Sequence, residues 1–191
     1  VIIEGRQGNR VEFSVRRVED GVFESSLDTT RAPLPVWLAL RETPLAGLAP
    51  AALFQGVVHW TCSPGGCSGA IRGTLVDLDL SDLLPADSIH RALGEVRVEI
   101  EHLEFDGPSI TTLAGTMHSP GGVVSRSLMM AAADYLYCKL PREPRDDLQA
   151  YDRLGIRFEL DHRGLTLTSA MPANPEADST DVKATRKLPA G

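Results

Sequence analysis

The clearest hydrophobic pattern lies in the middle of the chain, where apolar and charged residues alternate over the first half of Glu95–Phe105. Alternation with a period of two is typical of a strand with one buried and one solvent-facing side. The dipeptide Asp106-Gly107 then interrupts the pattern. Both residues tolerate the positive φ of a type I′ turn, so the pattern predicts a hairpin that pairs Glu95–Phe105 with Ser109–Met117.

Three further parts of the chain show the same arrangement of alternating strands around a glycine-containing turn. Glycine allows the backbone conformations that tight turns need, so these parts predict three more hairpins. The predicted hairpins are Val11–Ser26 with its turn at Asp20-Gly21, the pair Gly56–Cys62 and Cys67–Leu80 around the turn Ser63–Gly66, and Gly155–Ser169 with its turn at Asp161–Gly164.

Helical periodicity is restricted to a few segments. Over Val124–Cys138 the apolar residues recur at the spacing of one helix face, which predicts an amphipathic helix. A short helix is predicted for Ser81–Leu93, with its first residue as N-cap and Gly94 as the terminating glycine. Prolines divide Val36–Phe54 into short helical turns. The charged, proline-bearing stretch Lys139–Arg153 predicts a loop.

Together these patterns predict a mainly β fold with minor α. We expect antiparallel hairpins that form a curved or twisted sheet, packed by one amphipathic helix and short helical links.

A chain of 191 residues is long enough for one domain with a real core. We therefore expect a single β-rich domain over residues 1–171. Residues 172–191 contain almost no large apolar side chain, which predicts a disordered tail or linker.

Charge and composition exclude some classes of partner. The formal net charge is −7, and a chain without a basic surface is a poor ligand for nucleic acid. The sequence shows no apolar run of the roughly 20 residues that a transmembrane helix needs. The first residue is Val1 rather than methionine, so we expect a processed protein or a fragment. Residues upstream of Val1 could anchor such a protein to a membrane.

Cys62 and Cys67 flank the turn Ser63–Gly66, and three readings of this pair are open. A disulfide across a hairpin tip fits the spacing best, and it would indicate an oxidising compartment. Free thiols are the second reading. The third is half of a zinc site, which His59 and either Cys138 or His118 would complete. No second pair of closely spaced cysteines supports the zinc site.

The sequence contains no recognisable catalytic constellation. Neither a G-x-S-x-G nor an S-x-x-K motif is present. The histidines fall in separate segments without metal-binding spacing: His59, His90, His102, His118 and His162. We therefore expect no enzymatic activity, no cofactor and no metal site.

Several phrases of the chain resemble a known group of proteins. The phrases are GAIRGTLVDLDLSDLLP, GEVRVEIEHLEFDG, LAGTMHSPGG and the late GIRFELDHRGLTLTS. Their pattern of strands, short helix and hairpin is similar to that of AsmA-like envelope proteins, and also to type II secretion protein N. The resemblance implies a periplasm-facing or cell-envelope module, membrane-associated, built on a sheet with an apolar inner face. Larger relatives are thought to use such a groove for lipid passage, whereas the secretion protein is an assembly component.

We therefore expect a non-enzymatic envelope module whose apolar sheet face contacts lipid or another envelope protein. The alternative is a structural secretion-system or surface assembly component without a ligand. The same face could equally be a core beneath the predicted helix. The residues of this face are Val96, Val98, Ile100, Leu103, Phe105, Ile156, Phe158 and Leu160.

Overall fold

The structure, a computed structural model, describes residues 2–4, 10–48, 51–85, 87–136 and 146–170. The described chain is mainly β, with 62% strand and 12% helix, which confirms the predicted fold class. Its strands are β1 (Ile2–Glu4), β2 (Arg10–Glu19), β3 (Val22–Asp28), β4 (Leu34–Pro35), β5 (Leu53–Ser63), β6 (Gly66–Asp79), β7 (Ala92–Leu93), β8 (Glu95–Asp106), β9 (Ser109–Ser119), β10 (Gly122–Ser125), β11 (Leu148–Tyr151), β12 (Leu154–Asp161) and β13 (Gly164–Ser169). Its helices are α1 (Val36–Ala39), a single 3₁₀ turn (Leu80–Leu83) and α2 (Arg126–Leu136).

Most strands form one large antiparallel sheet. Its order is β1-β2-β3-β5-β6-β8-β9-β12-β13, and β4 pairs with β5 to make ten strands. Within the described residues the first and last strands of this order do not pair with each other, so the sheet is open. The three remaining strands form a second sheet in the order β11-β10-β7.

The register places apolar side chains opposite one another across the large sheet. Residues directly opposite in neighbouring strands share a face, so a row of partners marks which side is apolar. One such row, here called the apolar row, crosses eight strands and consists of Phe13, Leu27, Val58, Ile71, Leu103, Leu113, Leu160 and Leu165.

Bulges keep this face apolar where the simple alternation fails. In β8 the register shifts between Ile100 and His102, so that one extra residue, Glu101, is inserted. The insertion places Ile100 and Leu103 on the same face although they are three residues apart. In β6 a similar shift lies between Leu75 and Leu78.

The segment that begins at Thr29, directly after β3, and contains α1 folds back over the apolar face. Thr29 is fully buried, and its Oγ1 donates to the carbonyl oxygen of Gly56 at 3.1 Å and accepts from the Gly56 N–H at 2.9 Å. The Val36 N–H donates to the Ala52 carbonyl at 2.9 Å. These bonds tie Thr29 and the start of α1 to β5 and to the residue before it. Val36 and Leu40 are completely buried against the sheet.

The second sheet is attached through buried hydroxyl groups. Ser119, which is 3% exposed, donates to the carbonyl oxygen of Glu95 at 2.7 Å and lies 2.8 Å from the hydroxyl oxygen of Tyr151. Since Tyr151 belongs to β11, this contact joins the small sheet to strands β8 and β9 of the large one. None of the helices in the described part of the chain is long and apolar enough to cross a membrane.

The four predicted hairpins are present, with strand ends shifted by a few residues. The turn type of the central hairpin was wrong. Asp106 pairs with Ser109, so the two loop residues are Gly107 and Pro108. Gly107 has a φ of 56°, and no positive φ occurs at Asp106. A glycine at the first loop position followed by proline is typical of a type II′ turn rather than type I′.

The predicted helix Val124–Cys138 begins too early. Gly122–Ser125 pairs with β7 and β11 as a strand, and α2 begins at Arg126. The hydroxyl of Ser125 accepts the Leu128 N–H at 3.3 Å, as an N-cap does. The predicted end at Cys138 lies outside the described residues.

Two other local predictions were also wrong. The predicted helix Ser81–Leu93 is reduced to the 3₁₀ turn Leu80–Leu83, and Asp79 caps it by accepting the Ser81 N–H at 2.8 Å. Strand β11 lies within the predicted loop Lys139–Arg153, because its residues pair with β10. The predicted tail 172–191 lies outside the described residues.

Candidate apolar binding site

An apolar cavity of about 360 Å³ lies between α1 and the strands β2, β3 and β5. Its floor is formed by apolar side chains of these three strands. Phe13, Leu27 and Val58 are consecutive members of the apolar row, and Val11 and Trp60 extend the floor on either side. The rings of Phe13 and Trp60 are in contact, with centroids 6.2 Å apart. The cavity thus lies on the apolar face of the large sheet.

The roof of the cavity consists of the short segment that contains α1. Leu34, Leu38, Ala39 and Thr43 line it from above. The hydroxyl of Thr43 donates to the Leu40 carbonyl at 2.8 Å, so this polar group is satisfied within the roof. A cavity lined in this way offers its contents mainly hydrocarbon, and its volume falls at the lower end of the roughly 300–1,000 Å³ that small-molecule sites occupy.

Two apolar side chains of this segment are also exposed to solvent. Trp37 is 55% exposed and Leu38 is 49% exposed. α1 contains four residues, and no side chain caps its first turn. Exposed Trp and Leu side chains favour contact with an apolar surface or chain.

Two charged residues of this segment stand at the rim of the cavity. Arg41 and Glu42 both contribute to the lining of the cavity. The Arg41 Nε lies 3.6 Å from the Glu42 Oε1, and the two side chains are 79% and 57% exposed. The rim therefore presents one positive and one negative charge side by side to solvent.

Asp28 holds the loop that leads from β3 into the roof. Hydrogen bonds from the hydroxyl and the backbone N–H of Thr30, at 2.6 and 2.9 Å, lower the pKa of the Asp28 carboxyl below its ordinary value. The ionised carboxylate is the form that accepts both bonds, so this turn is most stable when Asp28 is charged.

The apolar face continues beyond the cavity toward two hairpin tips. Val15 is 54% exposed and Phe23 is 42% exposed. Val15 pairs with Ser25 of β3, which pairs in turn with Trp60 of β5, and Phe23 pairs with Cys62 of β5. Apolar residues therefore extend from the floor of the cavity to an exposed end of the sheet.

Cys62 and Cys67 are directly opposite in β5 and β6 and form a disulfide, with their Cα atoms 4.1 Å apart. This confirms the disulfide reading over free thiols. Bonded cysteines cannot bind zinc, and the described residues contain no group of three or more His, Cys, Asp or Glu side chains that could hold a metal ion. Disulfides are typical of oxidising, extracytoplasmic compartments.

The structure separates the sequence-predicted face into two parts. The members from β8 are 0–9% exposed and belong to the buried core: Val96, Val98, Ile100, Leu103 and Phe105. The members from β12 are half-buried: Ile156, Phe158 and Leu160. The β8 residues are covered by other residues of the same chain and are therefore not open to lipid. Contact between lipid and the β12 residues stays a prediction.

The histidines do not converge on one site. His59 is exposed in β5, and His118 and His162 are exposed in β9 and the last turn. His90 Nδ1 lies 3.1 Å from the Ser127 Oγ, which in turn lies 2.9 Å from the Ser125 Oγ. Because Ser125 caps α2, this network ties the loop before β7 to the start of the helix.

Sequence reasoning missed the cavity, although part of its signal was present. The alternation of Val11, Phe13 and Val15 correctly indicates one apolar strand face. The fold-back of the roof depends on contacts between Thr29 and Gly56, which are far apart in sequence and leave no periodic pattern.

No protein-family model, curated protein or solved structure matches this chain.

Proposed function

We propose that this domain is a non-enzymatic binding module of the cell envelope that holds the hydrocarbon chain of a lipid in the cavity beneath α1. The observation that carries the proposal is the cavity itself, with its floor on the apolar row and its roof of Leu34, Leu38 and Ala39. An apolar cavity does not retain ordered water, because water there finds no hydrogen-bond partners. A hydrocarbon chain is the occupant that such walls favour.

The extracytoplasmic location is supported by two observations. The disulfide Cys62–Cys67 is typical of oxidising compartments. The resemblance to AsmA-like envelope proteins points to the same place. The exposed Trp37 and Leu38 on the roof would then contact the membrane surface or a lipid-bearing partner as the chain enters.

A second candidate function is that of an assembly component without a ligand, and strand β13 favours it. β13 pairs on one side with β12, and within the described residues no strand pairs on its other side. Its sequence GLTLTS has neither a charged residue nor a proline, the features that protect sheet edges. A sheet edge of this composition can receive a strand from a partner protein.

Fluorescence of Trp60 tests the lipid proposal directly. The chain has two tryptophans, so Trp37→Phe leaves Trp60, in the cavity floor, as the sole reporter. Protein stripped of lipid is titrated with bromododecanol, whose bromine quenches tryptophan on contact. We expect saturable quenching at one equivalent of ligand. Absence of saturable quenching would overturn the proposal.

A filled cavity provides the matched comparison. Ala39 is 6% exposed and faces the cavity, so Ala39→Leu places additional carbon atoms where the chain would lie. Ala51 is exposed, and Ala51→Leu makes the same chemical change away from the cavity. We expect Ala39→Leu to weaken binding at least fivefold and Ala51→Leu to leave it unchanged. Equal affinity in the two variants would place the ligand elsewhere.

A further inference from the structure

We infer that the preferred ligand is a single-chain zwitterionic amphiphile, such as a lysophospholipid with a phosphate and an ammonium group. The inference rests on the proposed lipid-chain function and adds the chemistry of the headgroup. It depends on two observations: the volume of the cavity, and the presence of both Arg41 and Glu42 on its rim.

The volume of the cavity matches one hydrocarbon chain. A methylene group occupies about the volume of a water molecule, roughly 30 Å³. The cavity of about 360 Å³ therefore holds on the order of twelve methylene groups. A lipid with two chains of that length would have to leave one of them outside the cavity.

The rim offers charges of both signs at the place where the headgroup would emerge. The guanidinium of Arg41 is 3.6 Å from the Glu42 carboxylate, which is longer than a charge-assisted hydrogen bond. The guanidinium fork therefore keeps donors for a phosphate, which arginine binds in bidentate fashion. The Glu42 carboxylate keeps acceptor positions for an ammonium group.

Neither a simple anion nor a simple cation is as well matched. A carboxylate head that bound Arg41 would also approach Glu42, and a quaternary ammonium that bound Glu42 would approach Arg41. A zwitterion can place its phosphate at Arg41 and its ammonium group at Glu42, so that each charge meets one of opposite sign. Thr43 does not alter this balance, because its hydroxyl is already bonded to the Leu40 carbonyl.

The test compares four amphiphiles with the same dodecyl chain, each below its micelle concentration. They are dodecylphosphocholine, dodecanoate, dodecyltrimethylammonium and dodecanol, and the readout is Trp60 fluorescence in the Trp37→Phe protein. Exposed charge pairs contribute modestly, so we expect dodecylphosphocholine to bind about threefold to fivefold more tightly than any of the other three.

Rim variants identify the groups that select the head. We expect Arg41→Gln to shift the preference toward dodecyltrimethylammonium, and Glu42→Gln to shift it toward dodecanoate. Arg153→Gln removes an exposed arginine that does not line the cavity, and should change nothing. Binding of dodecanol should persist in all three variants, which shows that the cavity is intact.

Each outcome separates the two proposals. Equal binding of all four ligands, or a preference for dodecanoate that Arg41→Gln abolishes, would overturn the zwitterion inference and leave the lipid-chain function standing. Tighter binding of a two-chain phosphocholine would overturn the single-chain limit. Failure of every dodecyl ligand to bind would overturn the proposed function itself.

Discussion

The ring of Phe158 in β12 covers Gly115, its register partner in β9. A Cβ atom built on Gly115 would lie 2.7 Å from the Phe158 Cζ and would overlap the carbonyl oxygen of Glu99. Gly115 itself is buried, and Ile100 stands opposite it on the other side. The aromatic ring thus occupies the space that the missing side chain leaves, and the apolar face continues across the glycine without a gap.

Gly115→Ala tests this packing. Because the added methyl group meets both backbone and ring, we expect the free energy of unfolding to fall by about 1–3 kcal/mol or more, as overpacking does. Gly47→Ala is the control, since its Cβ would meet no atom within 4 Å. Urea denaturation followed by circular dichroism measures both variants. Equal stability of the two would show that β9 and β12 are more loosely packed than described.

The disulfide predicts a specific thiol count. Denatured, unreduced protein should show one reactive cysteine, Cys138, because Cys62 and Cys67 are bonded to each other. Replacing both bonded residues by serine should lower the free energy of unfolding by about 2 kcal/mol, the amount expected for so short a closed loop. Titration with a thiol reagent and urea denaturation measure these quantities. Three reactive thiols in the untreated protein would contradict the structure.

Two neighbouring positions of β8 should respond very differently to charge. Ile100 is 4% exposed, so Ile100→Asp buries an unpaired carboxylate at a cost of several kcal/mol. Glu99 is exposed on the other face, and Glu99→Lys should change the free energy of unfolding by less than about 0.5 kcal/mol. If both variants unfold to the same extent, the strand is buried on both faces. If Ile100→Asp stays as stable as the parent, the β8 face is open rather than core.

The turn at Asp28 predicts a dependence of stability on pH. The folded-state pKa of Asp28 is lowered by the hydrogen bonds from Thr30, so its stabilisation is present above the unfolded value of 3.8. That stabilisation is lost as the pH falls through the lower folded value. Asp28→Asn has no such titration, so its melting temperature should fall less between pH 7 and acid pH than that of the parent. Parallel loss in both proteins would assign the acid sensitivity to other groups.

The alternation of apolar residues was sufficient to predict the four hairpins, because each depends on local turns such as Asp20-Gly21. It was insufficient where long-range contacts decide the structure. The strand Gly122–Ser125 pairs with β7 and β11, and this pairing overrides the helical pattern that begins at Val124. The bulge at Glu101 likewise has no local signal, yet it decides which face Leu103 occupies.

The cavity shows the same limit at the level of the site. Its floor could have been inferred from Val11 and Phe13, whereas its roof could not, since α1 is short and its position depends on the bonds of Thr29 to Gly56. The sequence also offered no reason to single out Arg41 and Glu42, which are an ordinary exposed pair until the fold brings them to the cavity rim.

The position of the cysteines has a consequence for how the sheet reaches its correct alignment. Cys62 and Cys67 are direct partners, so their sulfur atoms meet when β5 and β6 are in native register. A slip of one residue would turn one cysteine to the opposite face, and a slip of two would separate them beyond the reach of a bond. Oxidation of this pair therefore selects the correctly aligned hairpin, which β3 and β8 flank in the sheet. In an oxidising compartment the covalent bond acts as a template for alignment as well as a source of stability.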